Sequence, residues 1–229
     1  MLNVFSTKIK KMKTINEYHD VLSLHSPRIR QHLSTCSQSK KILNTLTGEL
    51  IVRQIISNQL GYDPNTIIIS LNPDGKPYCP IQKYFHFNIS HSGEWVVCAF
   101  ANEPVGIDIQ KIVHIPRKRM DMIVLRFFHK NEQIQYFNLK EKERESFFFT
   151  QWSIKESYVK FKGKGFQIPL QSFFAFLDQN GRGSLSDGNF ILYFQQYDID
   201  SNYKLVACSL KSSFSFPIKK ISIPSITKQ

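Results

Sequence analysis

The chain lacks the features that mark several common classes of protein. Its 229 residues include only four cysteines, widely scattered, with no C-x-x-C pair and no Cys/His group at zinc-binding spacing. We therefore expect reduced thiols, as in a cytosolic protein. No G-x-x-x-x-G-K-[ST] loop is present, and no G-x-G-x-x-G follows a predicted strand, so neither nucleotide-binding loop is indicated. The cysteines are Cys36, Cys79, Cys98 and Cys208.

Long apolar runs are also missing. The longest ones, such as residues 67–69 and 147–149, are far too short to span a bilayer. The N-terminal lysines are not followed by an apolar segment, so no secretory signal is predicted. The sequence therefore predicts a soluble, cytoplasmic protein with no membrane partner.

Acidic residues are scarce relative to basic ones. The chain has 30 Lys and Arg against 18 Asp and Glu, a formal net charge of +12. Such a surface attracts polyanions, whether nucleic acid, acidic proteins, anionic membranes or a phosphorylated small molecule, and charge alone does not choose among them. The 41% hydrophobic and 13% aromatic content predicts a packed core rather than disorder.

The apolar periodicity predicts an α+β protein. Helices are predicted at residues 45–60, 117–128, 131–137 and about 140–162, with a weaker helical pattern over 14–41. Strands are predicted at residues 1–6, 67–71, 85–89, 94–101, 105–109, 173–177, 190–196 and 203–210. Because the order helix, strand, strand recurs around Pro104, we predict two lobes of similar size. They cover residues 1–104 and 105–212, with an extended tail over 213–229.

Two acidic residues on separate predicted elements are candidates for chemistry. Asp108 lies near the end of an apolar strand, where an acid is either a turn cap or a ligand. Glu156 lies on a helix between its i, i+4 neighbours Trp152 and Lys160. It either forms an ion pair with Lys160 or contacts a bound group. Two carboxylates with lysines beside them can hold Mg²⁺ against a phosphate, so the combination indicates phosphoryl-group transfer.

Two polar turns are further candidates. Residues 88–93 are predicted to contain a hairpin turn over 91–93, and their Ser, His and backbone N–H groups are able to bind an anion. A Ser/His nucleophile pair is a weaker alternative, because no orienting acid is evident. Lys76, between Gly75 and Pro77, is either a solvated lysine or a cation presented by a rigid turn. A diffuse basic group, which a solvated helix face would explain, comprises Arg28, Arg30, His32, Lys40 and Lys41.

Three motifs, taken together and in order, resemble the 4′-phosphopantetheinyl transferase superfamily. They are F-N-I-S-H-S-G at residues 87–93, G-I-D-I at 106–109 and W-S-I-K-E-S-Y-V-K at 152–160. More narrowly, the chain resembles the surfactin-synthetase-activating type over about residues 26–208, rather than the small trimeric carrier-protein synthases. The resemblance implies a monomeric pseudo-dimer of two similar α/β subdomains, with the active site at their interface.

The resemblance also implies a reaction of the holo-[acyl-carrier-protein] synthase type. A serine hydroxyl of an apo acyl or peptidyl carrier protein attacks the β-phosphate of coenzyme A, giving holo carrier and 3′,5′-adenosine bisphosphate. Mg²⁺ is the implied cofactor, with Mn²⁺ as an alternative ion. The implied partners are acidic carrier domains of peptide, polyketide or fatty-acid synthases, which would explain the basic surface.

Particular residues match the family motifs. Asp108, Gln110 and Glu156 are the implied metal ligands, and Glu156 is also the implied acceptor of the serine proton, directly or through water. Lys160 is implied to contact the pyrophosphate or the leaving group. Lys155 turns away by helix geometry. Glu132 matches a further acid near the active site. The implied coenzyme A contacts are Lys76, Ser90, His91, Asp108, Glu156, Lys160, Arg53, Arg28 and Arg30.

The chain departs from the family pattern at two places. Gln110 stands where a glutamate is frequent, which removes one negative charge and predicts a lower affinity for Mg²⁺. Ile29 and His32 stand where lysines commonly bind the 3′-phosphate, and Arg28 and Arg30 are the available replacements.

Two alternatives remain open from the sequence. A degenerate homologue would bind coenzyme A without transferring it, and Gln110 is its only support. A basic nucleic-acid-binding module would use its aromatics and lysines as a stacking surface. Against this second alternative, the aromatics fall on core-facing stripes and no nucleic-acid-binding motif is present, so we predict no nucleic-acid partner.

Overall fold

The computed structural model describes residues 1–9, 39–81 and 84–222. Its mixture of helices and mainly antiparallel sheets confirms the predicted α+β class. None of the helices in these described ranges combines the length and apolar character that a bilayer crossing requires. The helices are α1 (Ser39–Leu60), α2 (Arg117–Phe127), α3 (Lys130–Asn138) and α4 (Glu141–Lys162), with short 3₁₀ turns at Pro64–Thr66, Gly165–Gln167 and Leu170–Ser172.

Two four-stranded sheets and one small hairpin contain the strands. The first sheet has the order β10-β1-β5-β4 and the second has the order β6-β9-β8-β7, while β2 and β3 pair separately. Neighbouring strands are antiparallel except β1 and β10. The strands are β1 (Asn3–Lys8), β2 (Ser70–Leu71), β3 (Pro77–Tyr78), β4 (His86–Ser92), β5 (Trp95–Ala101), β6 (Val105–Lys111), β7 (Arg182–Ser186), β8 (Ile191–Tyr197), β9 (Tyr203–Ser209) and β10 (Lys219–Lys220).

One hydrophobic core is shared by the two sheets. Val97 and Ala99 of β5 belong to the same buried cluster as Ile107 of β6 and Leu205 of β9. On the opposite faces, α1 covers the first sheet and α4 covers the second. The molecule therefore has four layers in the order helix, sheet, sheet, helix. The core between the two sheets is common to both of them.

The two sheets also meet edge to edge, at β4 and β6. Alternate side chains of β4, those of Asn88, Ser90 and Ser92, accept hydrogen bonds from backbone N–H groups of β6 at 3.0, 3.2 and 2.9 Å. The β6 donors, in the same order, are Ile107, Ile109 and Lys111. We call these six residues the β4–β6 seam. Because strand side chains alternate between faces, one polar residue at every second position is enough to build it.

Helix α4 crosses β6 at Gly106. A Cβ atom added there would lie 2.0 Å from the carbonyl oxygen of Ser157 and 2.8 Å from the backbone nitrogen of Phe161. Both obstacles are backbone atoms of α4, which cannot rotate away. Glycine at this position therefore allows α4 to lie directly on β6, next to Asp108.

Glu132 and Lys155 form an ion pair that is completely buried. The ammonium of Lys155 lies 2.7 Å from Oε2 of Glu132 and donates to the carbonyls of Leu170 and Phe173 at 2.7 and 2.8 Å. Burial raises the pKa of Glu132 to about 7 and lowers the pKa of Lys155, while their mutual attraction opposes both shifts. The pair fastens α3 and the segment after α4 to the inner side of α4.

Two predicted strands are wrong or shortened in the structure. Residues 173–177 do not form a strand. Their alternating burial comes from packing beside α4, and the carbonyl of Phe173 accepts a hydrogen bond from the Lys155 ammonium. The strand predicted over 67–71 is reduced to β2, Ser70–Leu71.

Three other parts of the sheets differ from the prediction made from the sequence. We predicted His91 and Ser92 in a turn, but they pair with Val96 and Trp95 as the end of β4. Part of the predicted tail joins the first sheet, where β10 lies parallel to β1. The edge strand β7 was not predicted, because its side chains are all exposed or half-exposed and lack apolar alternation.

We expect Gly106→Ala to lower the free energy of unfolding by about 3 kcal/mol, because α4 must shift away from β6. Gly48→Ala in α1 is the matched control. The nearest atoms to a Cβ there would all belong to the side chain of Ile89, with Cγ2 at 2.9 Å, and none to backbone. Alanine also favours a helix over glycine by about 0.5–1 kcal/mol. Urea denaturation measures the free energy of unfolding of both variants. Similar decreases in the two would contradict the explanation by close approach of α4 to β6.

We expect Lys155→Met to lower the free energy of unfolding by about 3–5 kcal/mol, because it leaves Glu132 buried without its partner. The double variant Glu132→Gln/Lys155→Met should recover part of that loss. The exposed pair Arg117–Glu141, whose side chains are 54% and 75% exposed, provides the control, and Arg117→Gln should cost less than about 1 kcal/mol. Equal losses for Lys155→Met and Arg117→Gln in urea titrations would refute the assignment.

Candidate active site

Asp108, in the middle of β6, is the centre of the candidate site and is only 2% exposed. Its Oδ1 accepts hydrogen bonds from the Ser90 hydroxyl at 3.0 Å and from the Lys160 ammonium at 2.5 Å. Its Oδ2 accepts from the amide of Gln110 at 2.8 Å. A carboxylate oxygen has about two acceptor positions. Oδ1 is therefore fully used, and Oδ2 has one position left for a further ligand.

Lys160, on the last turns of α4, joins Asp108 from the helix side. Its ammonium also donates to the Ser90 hydroxyl at 2.8 Å. The alternative of an i, i+4 ion pair with Glu156 is not what the structure has, since the partner of Lys160 is Asp108. An ammonium has three N–H groups, and within the described residues the third has no partner. The side chain is 27% exposed, so this N–H is able to reach an anion.

Glu156 lies half-buried one helical turn before Lys160. Burial raises the pKa of its carboxyl group most, and the negative charge of Asp108 raises that pKa further, while Lys160 lowers it. The effect of Asp108 on this pKa means that the two carboxylates lie within electrostatic reach of each other. Shifts with these causes are characteristic of functional sites.

The donor set fits a hard divalent cation. Carboxylate and amide oxygens are the ligands that Mg²⁺ accepts, and Asp108, Glu156 and Gln110 supply both kinds. A cation between the two carboxylates would cancel the repulsion that raises the pKa of Glu156. The described part of the chain has no cluster of three or more His, Cys, Asp or Glu side chains able to hold a metal. An ion here would therefore depend on two acids and on neutral ligands.

Lys76 is not a solvated turn lysine. Its ammonium donates to the carbonyls of Lys160 at 2.7 Å, Phe161 at 3.2 Å and Val105 at 3.4 Å. Burial lowers the pKa of Lys76 to about 8. The side chain thus fastens the β2–β3 hairpin to the C-terminal end of α4, where the helix dipole favours a cation.

Ser90 and His91 point in opposite directions, as neighbours on a strand do. Ser90 is buried in the site, at 4% exposure. His91 is exposed on the side of α1, where the Asn44 amide lies 3.1 Å from its Nδ1. The structure therefore brings Ser90, but not the His91 ring, to Asp108.

Two other candidates are engaged away from Asp108. Arg53 forms a buried ion pair with Glu49, at 2.7 Å between Nη2 and Oε1, and donates to the carbonyl of Pro64 at 2.7 Å. Glu132 is held by Lys155 in the buried pair already described. Among the described residues, neither hydrogen-bonds to Asp108. The remaining predicted contacts and departures lie outside the described residues, and they are Arg28, Ile29, Arg30 and His32.

The seam residues Asn88 and Ser92 were not identified from the sequence. A signal was available, because Asn88, Ser90 and Ser92 occupy every second position of β4 and alternate with Phe87 and Ile89. That pattern predicts a polar face opposite the core, but it does not reveal which backbone the face contacts.

Two family models match the chain in succession. Residues 13–103 match the model described as 4′-phosphopantetheinyl transferase, N-terminal, and residues 104–216 match the 4′-phosphopantetheinyl transferase superfamily model. Together with the mixed helix and sheet architecture, these matches confirm the predicted two-subdomain fold class.

Curated relatives give the same result. The chain is 34% identical to the 4′-phosphopantetheinyl transferase Sfp of Bacillus subtilis (strain 168), over 96% of this chain and 98% of the relative. It is 37% identical to the 4′-phosphopantetheinyl transferase gsp of Aneurinibacillus migulanus, over 82% and 77% of the two chains. It is also 37% identical to the 4′-phosphopantetheinyl transferase ffp of Bacillus subtilis, over 80% of each. The resemblance seen in the motifs is therefore confirmed, and the chain belongs to the 4′-phosphopantetheinyl transferase superfamily.

Proposed function

We propose that this protein transfers the 4′-phosphopantetheine group from coenzyme A to a serine of an apo carrier protein. The second product is 3′,5′-adenosine bisphosphate. The observation that carries the proposal is the ion pair between Asp108 of β6 and Lys160 of α4, with the half-buried carboxylate of Glu156 one helical turn before Lys160. Membership of the transferase superfamily supports the same group transfer.

In this proposal Asp108 and Glu156 hold Mg²⁺, or Mn²⁺ in its place, with Gln110 as a neutral neighbour. The free acceptor position on Asp108 Oδ2 and the oxygen character of the ligands support the assignment. When bound, the ion supplies positive charge that offsets the charge of the donor's pyrophosphate.

The side chains around the two acids have complementary roles. Lys160 directs its unpaired N–H at the pyrophosphate, because its other two bonds fix the ammonium over Asp108. Glu156 accepts the proton of the carrier serine, directly or through water.

The remaining coenzyme A contacts are proposed on the family resemblance. They are Lys76, His91, Arg53, Arg28 and Arg30, with Glu132 as a further acid near the active site. The positions of three of these suggest supporting roles. Lys76 holds the end of α4, Arg53 braces α1 through Glu49, and Glu132 braces α4 through Lys155.

We place the site between a first lobe over residues 1–104 and a second over 105–212, with a tail over 213–229. Ser90 comes from the first lobe, whereas Asp108, Glu156 and Lys160 come from the second. One chain supplies all four residues, so a monomer suffices.

The carrier partner is proposed to be acidic. A net charge of +12 speeds encounter with an acidic carrier domain and with the phosphates of coenzyme A. Carriers of peptide, polyketide and fatty-acid synthases, including the acyl carrier protein, share this character. These substrates belong to the cytoplasm, and nothing in the site requires nucleic acid or a membrane.

We expect Asp108→Asn and Glu156→Gln each to lower the rate of transfer at least about 100-fold, because each removes a negative ligand of the metal without changing the size of the side chain. The measurement is the gain of one phosphopantetheine in the intact mass of an apo carrier protein incubated with coenzyme A and Mg²⁺.

Glu145→Gln is the matched control for that experiment, since Glu145 lies about three turns earlier on the same helix. It should transfer at the wild-type rate, and circular dichroism should show all three variants folded. Near-normal turnover by either site variant would contradict the role proposed for the substituted residue. A folded wild-type protein that modifies none of several carriers, yet binds coenzyme A, would instead support the degenerate homologue.

We expect Gln110→Glu to lower the half-saturating Mg²⁺ concentration several-fold, because a third carboxylate adds negative charge beside Asp108 Oδ2. Gln110→Asn, which keeps the amide, is the control for changing the side chain. Transfer rates over a Mg²⁺ titration give the half-saturating concentration for each of the two variants. An unchanged half-saturating concentration in Gln110→Glu would exclude this position from the metal site.

A further inference from the structure

The hydroxyl group of Ser90 has used all of its hydrogen-bonding capacity. Its oxygen accepts from the backbone N–H of Ile109 at 3.2 Å and from the ammonium of Lys160 at 2.8 Å. Its O–H donates to Oδ1 of Asp108 at 3.0 Å. A serine hydroxyl has one donor and two acceptor positions. No position is left for a fourth partner.

This count bears on whether Ser90 contacts the donor substrate. A phosphate oxygen can only accept, so it would need the single O–H of Ser90, which Asp108 already holds. Because Ser90 is 4% exposed, a phosphate would also have to enter a buried position to reach it. The side chain is therefore poorly suited to bind coenzyme A.

We propose that Ser90 is a positioning residue, which fixes the carboxylate of Asp108 and the ammonium of Lys160 relative to each other and does not bind coenzyme A through its side chain. The inference rests on the proposed function. Three elements, β4, β6 and α4, converge on this one oxygen atom. The seam that joins the two sheets and the site that performs the transfer thus share a single hydrogen-bonding centre.

The loss of this centre should have a defined consequence. The long Lys160 side chain has many rotamers available to it, and without Ser90 its ammonium would keep, among the described residues, only the contact to Asp108. The carboxylate of Asp108 would lose the donor that helps set its orientation. Both groups would then occupy several positions, which lowers the rate of the chemical step more than it weakens binding of the donor.

Ser92 provides a matched control two residues along the same strand. Its hydroxyl oxygen accepts from the backbone N–H of Lys111 at 2.9 Å, as Ser90 does from Ile109. In the described part of the chain it forms no hydrogen bond to Asp108 or Lys160. Ser92→Ala therefore removes one bond of the seam and leaves the site intact, whereas Ser90→Ala removes one bond of the seam together with both site contacts.

The experiment compares Ser90→Ala, Ser92→Ala and the wild-type protein. Steady-state transfer to one apo carrier protein gives kcat, the KM for coenzyme A and the half-saturating Mg²⁺ concentration. Isothermal titration gives the Kd for 3′,5′-adenosine bisphosphate without metal. Urea titrations should show both variants folded, with the larger midpoint shift in Ser90→Ala, because it loses three hydrogen bonds and Ser92→Ala loses one.

For Ser90→Ala we expect kcat to fall roughly 10- to 100-fold and the half-saturating Mg²⁺ concentration to rise. The KM for coenzyme A and the Kd for the bisphosphate should stay within about 2-fold of wild type, because no donor contact is lost. Ser92→Ala should stay within about 2-fold in all four quantities.

Two results would overturn the inference. A rise in KM and Kd with kcat preserved would identify Ser90 as a donor contact. Equal losses of kcat in the two variants would show that Ser90 acts only through its structural role in the seam. A wild-type protein that transfers nothing in the same assay would instead overturn the proposed function, so the two failures are distinguishable.

Discussion

The hydrogen bonds that converge on Asp108 are the constraint on which the rest of the site depends. This carboxylate is buried where two sheets and a helix meet, and its charge is balanced by one ammonium, one hydroxyl and one amide. Each of those groups comes from a different direction, so the carboxylate can be satisfied only if β4, β6 and α4 are all in place. Gly106 makes that possible, because it lets α4 lie against β6. The contacts that hold these three elements together are therefore also the contacts that build the site.

The balance of charge explains what the site still requires. Burial and then the charge of Asp108 raise the pKa of Glu156, and one ammonium, that of Lys160, is shared between the two carboxylates. The pyrophosphate of the proposed donor would add more negative charge to the same space. A divalent cation resolves both problems, which gives the proposed metal a physical reason beyond family resemblance. Gln110 makes this chain useful for testing the charge requirement, because it places a neutral amide beside Asp108.

The sequence predicted the elements with strong periodicity and the residues with distinctive chemistry. Helix α4 and strand β6 carry their signals in apolar stripes, and the three motifs identified the superfamily that the comparisons then confirmed. Tertiary contacts decided the rest. Residues 173–177 alternate like a strand because they pack beside α4. The ammonium of Lys76 donates to two carbonyls at the end of α4 and to one on β6. No local pattern distinguishes the Glu132–Lys155 pair, buried at 0% exposure, from an exposed one.

The most direct test of the account is to locate the ion. Crystals of the protein grown with Mn²⁺ and 3′,5′-adenosine bisphosphate would show the metal by its anomalous scattering. The account predicts one strong peak about 2.0–2.3 Å from carboxylate oxygens of both Asp108 and Glu156, with Lys160 still bound to Ser90. A peak held by other residues, or a bisphosphate bound with no metal between the two acids, would contradict it.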